Sequence, residues 1–191
     1  SFDGVHPAGN VGTQIHHIDP INKGEFAWSI NIQEVAEIGK FLASGHINSS
    51  RKIALTGSEV TTRTYLNVTR GSKMESLVKN AVEATNVRYI SGNVLTGDRK
   101  ELTEYIGHYH NQITVIPEGN EYKFFLTSGW LGAGFDKFSN SRLFPTFLLS
   151  KSKKFRLDTN TNGEERAFVV SGELERVFPF DILPVQLTKA A

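Results

Sequence analysis

Histidines are the residues whose spacing in this sequence comes nearest to a chemical site. His16 and His17 are adjacent, whereas His108 and His110 are separated by one residue. Adjacent side chains on a strand point to opposite faces, but an H-x-H pair points to one face and could chelate a metal ion. A zinc site needs a third ligand, and no glutamate here stands in a recognisable metal signature. We therefore expect surface or hydrogen-bonded histidines and no bound metal.

Two glycine-bearing segments are candidates for binding loops. Residues 9–12, Gly-Asn-Val-Gly, match neither G-x-G-x-x-G nor G-x-x-x-x-G-K-[ST], so a structural turn is expected there. Residues 129–135 mix aromatic side chains with glycine, which suits either a loop folded on its own core or an exposed patch for a partner subunit. The serines lack the G-x-S-x-G context of a hydrolase. No catalytic group of residues emerges from the sequence.

Composition narrows the classes of function further. The 191 residues include 21 Lys and Arg against 20 Asp and Glu, a net charge of +1, so no basic field predicts nucleic acid as a partner. The absence of cysteine excludes disulfides, thiolate zinc sites and cysteine-ligated iron–sulfur clusters, and it agrees with a cytoplasmic location. The first and last residues look internal, which suggests an excised piece of a longer protein.

The first fifty residues are predicted to be rich in loops before a single helix. Residues 26–32 have the aromatic and β-branched content of a short strand. Asn31 stands three residues before Glu34 like a capping pair, so a helix should follow. The expected apolar face of that helix consists of Val35, Ile38, Gly39 and Leu42. Gly45 is expected to end the helix.

From residue 51 the pattern changes to that of a compact β-rich unit. Residues 52–56, 61–69 and 87–90 are predicted strands. Between the last two, Ser72 and Glu75 have the spacing of a capping box, which predicts a helix. The side chains expected to face the sheet from that helix are Leu77, Val78, Ala81 and Val82. Two strands, a helix and a further strand make a β-grasp arrangement reasonable, although other α+β sandwiches fit equally.

The remaining residues are again predicted to be strand-rich. Residues 112–116 and 122–126 suggest a hairpin, and short strands are expected at 155–157 and 167–170. Residues 178–187 contain two prolines and are expected to form an extended or one-turn helical segment.

Three segments of the sequence resemble the family of NqrA, the A subunit of the Na+-translocating NADH:quinone oxidoreductase, and they occur in the family's order. They are residues 6–20 (HPAGNVGTQIHHIDP), residues 88–97 (RYISGNVLTG), and residues 161–163 together with 175–184 (TNG and ERVFPFDILP). Residues 106–112 also resemble a family segment. The similarity therefore extends over nearly the whole chain.

The resemblance implies an α+β fold in three parts. Residues 1–50 would end a Rossmann-like region, residues 51–104 would form a soluble-ligand-binding, ubiquitin-like β-grasp module, and residues 105–191 would be a later β-rich region. The family's amino-terminal lipoyl-like domain and carboxy-terminal helical segment would both be missing from this sequence.

The resemblance also implies a role within a membrane enzyme. The family's A subunit is a peripheral component on the cytoplasmic side of the bacterial inner membrane, beside the membrane-embedded B subunit. It carries no cofactor, because the NADH, flavins, iron–sulfur centre and ubiquinone of the complex are used in other subunits. The chain is accordingly expected to scaffold the complex without catalysing a reaction alone, with quinone as a further potential partner.

A single loop is the best candidate for a contact with a ligand or a partner. Its predicted contact residues are Ser91, Gly92, Asn93, Thr96 and Gly97. The competing explanation is that the glycines only shape a turn. The alternative function is that of a free-standing β-grasp module that binds a small ligand.

Overall fold

The computed structural model describes residues 1–120, 134–138, 144–149, 153–161, 167–169 and 172–191. The chain divides into two compact units, Ser1–Ala43 with Glu165–Ala191, and Ser44–Glu164. The helices are α1 (Val11–Ile18), α2 (Ile32–Ser44), α3 (Met74–Val78), α4 (Glu173–Val177) and α5 (Pro184–Ala190), and a 3-10 turn spans Pro145–Leu148. The strands are β1 (Ser50–Thr56), β2 (Thr64–Thr69), β3 (Val87–Ser91), β4 (Asp98–Lys100) and β5 (Gln112–Pro117). Among these described ranges, no helix is both long and apolar enough to cross a bilayer.

The five strands form one mixed sheet in the order β2-β1-β5-β3-β4. Strand β1 runs antiparallel to β2 and parallel to β5, while β3 runs antiparallel to both β5 and β4. The sequence predicted β1, β2, β3 and β5. It did not predict β4, because the short segment Asp98–Lys100 is entirely charged and carries no apolar alternation.

The core of this unit lies on one face of the sheet. Ile53 and Leu55 alternate along β1 and are each 1% exposed, while Ile113 and Val115 of β5 are completely buried. On β2, the partly buried hydrophobic residues Leu66 and Val68 pack against this cluster.

Helix α3 covers the core, but it is not capped as predicted. Met74 and Val78 belong to the core cluster, and Leu77 packs against it as expected. Ala81 and Val82 also pack against the core, but they follow the helix, which ends at Val78, so the predicted helix was too long. The capping box is wrong, since the Ser72 hydroxyl donates to the carbonyl of Thr69 at 2.6 Å. The backbone N–H groups of Met74 and Glu75 donate instead to the carbonyls of Glu104 and Leu102. The segment before strand β5 therefore supplies the acceptors that a capping side chain would have given.

The other unit contains helices and no strand among its described residues. The prediction of loops at its start is partly wrong, because residues 11–18 form α1. The sequence does place Val11, Ile15 and Ile18 at helical spacing, and Gly12 near the first turn does not prevent the helix. The His16 ring lies 4.4 Å from the ring of Phe180, centroid to centroid.

Helix α2 begins as predicted. The backbone N–H of Glu34 donates to the Asn31 side chain at 3.1 Å, and the N–H of Asn31 donates back to the Glu34 carboxylate at 3.4 Å. Gly45 then follows the helix with φ +71°, a conformation that glycine adopts at little cost. The residues of the expected apolar face lie within α2, but no residue of this helix is buried.

Several predicted strands are absent. Residues 26–31 have no strand pairing and α2 already begins at Ile32, so the strand at 26–32 is wrong, and Trp28 is 97% exposed. Residues 155–157 and 167–169 are also unpaired, while residues 122–126, the second half of the expected hairpin, lie outside the described residues. Strand β5 forms nevertheless, because β1 and β3 pair with it. The segment 178–187 includes the first turn of α5, as predicted.

Candidate functional site

The candidate contact loop joins β3 to β4. Its first residue, Ser91, is completely buried, and Gly92 is buried with φ +100°. The backbone N–H of Gly92 donates to the carbonyl of Gln112, and the Thr114 hydroxyl donates to the carbonyl of Gly92 at 2.8 Å. Two of the five predicted contact residues are therefore fixed inside the unit, one by its burial and the other by hydrogen bonds to β5.

Asn93 folds the tip of the loop. Its side-chain oxygen accepts the backbone N–H groups of Leu95 at 2.8 Å and Thr96 at 2.9 Å. Its side-chain nitrogen donates to the Thr96 hydroxyl at 3.0 Å. Asparagine side chains stabilise turns in this way by satisfying backbone donors two or three residues ahead. Asn93 and Thr96 are thus exposed residues that shape the turn.

Gly97 closes the loop at a point where the chain passes very near itself. A Cβ atom at this position would lie 2.5 Å from the carbonyl oxygen of Asn93 and 2.6 Å from that of Ser91. Real Cβ atoms do not approach backbone oxygens so closely, so the turn requires glycine here. The glycines therefore shape the loop, in agreement with the competing structural explanation, and a contact role for the loop stays a prediction.

His110 holds the base of the loop, a role that the sequence did not reveal. Its Nδ1 lies 2.7 Å from the Ser91 hydroxyl, which also accepts the backbone N–H of Gly107 at 2.9 Å. His108 turns to a different partner, since its Nε2 lies 2.7 Å from a guanidinium nitrogen of Arg70. An arginine can only donate, so this His108 nitrogen accepts. The described residues include no cluster of three or more metal-ligating side chains.

The most exposed apolar side chains of the loop lie between the predicted contact residues. Val94 is 60% exposed and Leu95 is 71% exposed. Neither was predicted as a contact, because isolated apolar residues in a glycine-containing sequence give no sign of their direction. The hydrogen bonds of the turn fix the backbone that carries both side chains.

A second polar cluster lies at the end of β5. Both side-chain oxygens of Glu118 accept from the guanidinium of Arg88, at 2.6 and 3.0 Å, and the Thr159 hydroxyl donates to Glu118 at 2.6 Å. The hydrogen bonds from Arg88 and then Thr159 lower the pKa of Glu118 below its ordinary value. The adjacent groove of about 500 Å³ is lined in part by Glu118 and by Arg156, which is itself paired with Glu59. The charged groups named here are therefore paired with one another within the fold.

The ion pair between Arg88 and Glu118 gives a prediction for the pH dependence of stability. The folded-state pKa of Glu118 is depressed, so its stabilisation is present above the unfolded value near 4.5 and is lost as the pH falls through the folded pKa. Glu118→Gln should cost about 1–3 kcal/mol at neutral pH and less in acid. Urea midpoints measured between about pH 3 and pH 7 test this. Glu101→Gln, at an exposed surface pair 3.6 Å long, is the control and should cost about 0–1 kcal/mol. An equal loss for Glu118→Gln at every pH would contradict the assignment.

Comparisons with known proteins relate the chain to one family. Its sheet with a packed helix and its separate helical unit define a mixed α/β protein. Residues 1–47 match the family model described as the NqrA second alpha/beta domain, and residues 52–101 match that of the NQRA C-terminal domain. The chain belongs to the family of NqrA, the A subunit of the Na+-translocating NADH-quinone reductase.

Curated relatives that carry the name of this A subunit match almost the whole chain. The protein of Hahella chejuensis is 39% identical over 190 residues, covering 99% of this chain and 42% of the relative. Those of Haemophilus influenzae and Neisseria meningitidis are 43% and 41% identical, each covering 98% of this chain and 41% of the relative. The chain thus spans about two fifths of the length of these relatives.

Proposed function

We propose that this chain acts as a segment of the A subunit in a Na+-translocating NADH:ubiquinone reductase, where it scaffolds the complex without catalysing a reaction itself. The observation that carries the proposal is the 39–43% identity to NqrA proteins over nearly the whole chain. In this proposal the complex couples NADH oxidation and quinone reduction to sodium export. NADH, the flavins, the iron–sulfur centre and ubiquinone are used in other subunits, and the chain binds no cofactor.

The proposed location is the cytoplasmic side of the bacterial inner membrane. The chief proposed partner is the membrane-embedded B subunit, and quinone is a further candidate ligand. The side chains argue for contact as the mode of action. Ser91 is buried against His110, and both Glu118 and Glu59 are held by arginines. Serine, histidine and glutamate side chains catalyse reactions in many enzymes, but in this unit these ones pair with other side chains of the fold.

The proposed organisation is a β-grasp module over residues 51–104, preceded by the end of a Rossmann-like region at 1–50 and followed by a later region at 105–191. The sheet order β2-β1-β5-β3-β4, with the first and last strands parallel at its centre, supports the β-grasp proposal. Strand β5 comes from residues beyond 104, so the module needs the start of the following region to complete its sheet.

The proposal of a non-catalytic role has a direct test. Purified chain is mixed with NADH and a short-chain quinone, and NADH oxidation is followed by absorbance. No turnover above the chain-free rate is expected. Turnover without added flavin would contradict the proposal, because the chain would then be carrying the reaction itself.

The alternative of a free-standing ligand-binding module predicts a different result. A small soluble ligand that binds the folded chain raises its melting temperature with ligand concentration. A thermal-shift series with NADH and flavin nucleotides is expected to show no dose-dependent rise. Such a rise for one ligand would favour the module over the scaffold.

A further inference from the structure

We propose that His108 and His110 form an acid-sensitive clasp, which holds the segment before β5 to its neighbours only while both imidazole rings are neutral. The histidine clasp consists of residues 107–110. The inference concerns the chain by itself, so it goes beyond the proposed role in the reductase and does not depend on it. It follows from the hydrogen bonds of the two rings, each of which assigns the place of a hydrogen atom.

His108 carries its ring hydrogen on Nδ1. Its Nε2 lies 2.7 Å from a guanidinium nitrogen of Arg70, which can only donate, so Nε2 accepts. The backbone carbonyl of His108 accepts from the guanidinium of Arg51 at 2.8 Å. A proton added to Nε2 would remove the acceptor and would bring an imidazolium against the Arg70 guanidinium, a contact between like charges. This half of the clasp therefore requires the neutral ring.

His110 carries its ring hydrogen on the opposite nitrogen, Nε2. The Ser91 side chain is completely buried, and its hydroxyl oxygen already accepts the backbone N–H of Gly107 at 2.9 Å. The hydroxyl hydrogen needs an acceptor of its own, because buried polar groups rarely stay unpaired. Among the described residues that acceptor is Nδ1 of His110, 2.7 Å away. Protonation of Nδ1 would turn it into a donor and leave the Ser91 hydrogen without this acceptor.

The histidine clasp joins three strands of the sheet at its two rings. Arg51 belongs to β1, Arg70 directly follows β2, and Ser91 is the last residue of β3. His110 lies two residues before the first residue of β5. Histidine is the side chain that ordinarily changes its charge between about pH 5 and pH 8. Acidification through this range should therefore loosen the clasp, while the backbone pairing of the strands remains.

The charged and titratable groups around the two rings do not include a carboxylate that pairs with either ring in the described part of the chain. Arg51 and Arg70 bring positive charge to His108, and the Tyr109 ring lies 4.9 Å from the His108 ring, centroid to centroid. Asp98 of β4 pairs with Ser91 in the sheet, but it is exposed and no described interaction joins it to His110. The charged form of each ring thus has no anionic partner in the described residues.

Nitrogen-15 NMR of the imidazole rings tests where the two hydrogens lie. At about pH 7.5 the original chain should show a protonated Nδ1 in His108 and a protonated Nε2 in His110. The same tautomer in both rings would overturn the proposal, because the two hydrogen bonds require opposite forms. A proton on both nitrogens of either ring would overturn it as well.

Amide hydrogen exchange at Gly107 tests the acid sensitivity, because its N–H donates to the hydroxyl that His110 holds. The protection factor is corrected for the intrinsic exchange rate at each pH. Between about pH 7.5 and about pH 5.5 it should fall about three- to tenfold, the effect of losing one neutral hydrogen bond. The carboxylate of Glu118 stays charged in this range, since its pKa lies below the ordinary value.

Matched variants assign the fall to the two rings. The double variant His108→Gln, His110→Asn places amide oxygens as far along the side chains as Nε2 and Nδ1, and these oxygens accept without titrating. Its protection at Gly107 should be equal at both pH values. His46→Gln is the control, because Nδ1 of His46 lies 2.7 Å from the Ser44 carbonyl and donates, so protonation preserves that bond. This variant should show the same fall as the original chain.

Each outcome either supports or overturns the clasp. Equal protection at both pH values in the original chain would overturn it, and so would an equal fall in the double variant, since another group would then carry the acid sensitivity. Melting curves at about pH 7.5 show whether the double variant is folded. If it is not, the single variants replace it, and each should lose part of the fall. A full fall in both single variants would overturn the proposal.

Discussion

Replacement of Gly57 by alanine is expected to destabilise the sheet-containing unit by about 3–5 kcal/mol, the sum of backbone strain and overpacking. Gly57 follows β1 with φ +117°, which side chains of L-residues rarely allow. A Cβ atom would lie 1.9 Å from the carbonyl oxygen of Val115 and 2.5 Å from its backbone nitrogen. Strand β5 cannot retreat easily, because β1 and β3 pair with it on its two edges. The loss would be a large part of the stability of a typical domain.

The control for this substitution is Gly71→Ala. Gly71 also has a positive φ, +75°, but among the described residues no atom beyond its two chain neighbours lies within 4 Å of the position that an added methyl group would occupy. Only the conformational cost of about 1–2 kcal/mol should remain. Free energies of unfolding from urea titrations, with the transition of this unit followed by circular dichroism, give the comparison. Equal losses for the two variants would mean that the approach of Gly57 to Val115 is not limiting.

Replacement of Gly97 by alanine should have the second-largest effect, about 2–3 kcal/mol, the upper part of the overpacking range. The added methyl group would meet the carbonyl oxygens of Asn93 and Ser91 and the Ile90 side chain, all within 2.6 Å. Since two of these atoms belong to the backbone, relief requires the turn itself to open.

Thr96→Ala is the matched control within the same turn. It removes one side-chain hydrogen bond, from the Asn93 amide, and should cost about 0.5–1.5 kcal/mol. Urea titration of both variants measures the two losses. A Gly97→Ala protein that is as stable as Thr96→Ala would show that the turn tolerates a side chain at its closing residue.

The sheet could be predicted strand by strand but not assembled from the sequence. Residues 52–56, 87–90 and 112–116 carry the β-branched and apolar residues typical of strands, and each lies within an observed strand. Their order depends on pairings between distant segments, such as Leu55 beside Ile113, which local patterns do not encode. Strand β4 was not predicted, because it is a strand through its pairing with β3 and not through its composition.

A local capping signal predicted the hydrogen bonds of a helix start only where no distant segment supplied other acceptors. The pair Asn31 and Glu34 forms its predicted hydrogen bonds at the start of α2. At α3 the same type of signal failed, because the carbonyls of Leu102 and Glu104 accept from the N–H groups at the helix start. The sequence cannot weigh a local acceptor against one that folding brings from a distant part of the chain.

The candidate loop was likewise predictable from the sequence only in part. Its glycines correctly indicated a tight turn, and Asn93 is the residue type that such turns favour. The support from His110 and the outward direction of Val94 and Leu95 depend on three-dimensional packing. Sequence patterns therefore located the loop, whereas the structure distinguishes the residues that shape it from those that it exposes.

The proposed scaffolding role requires this chain to bind the other subunits of the reductase. Sedimentation velocity of the purified chain mixed with the complex that lacks NqrA measures this binding. The chain is expected to co-sediment with the complex at saturation, in a ratio of one copy to one complex. A chain that sediments only as a free species at every concentration of the complex would contradict it.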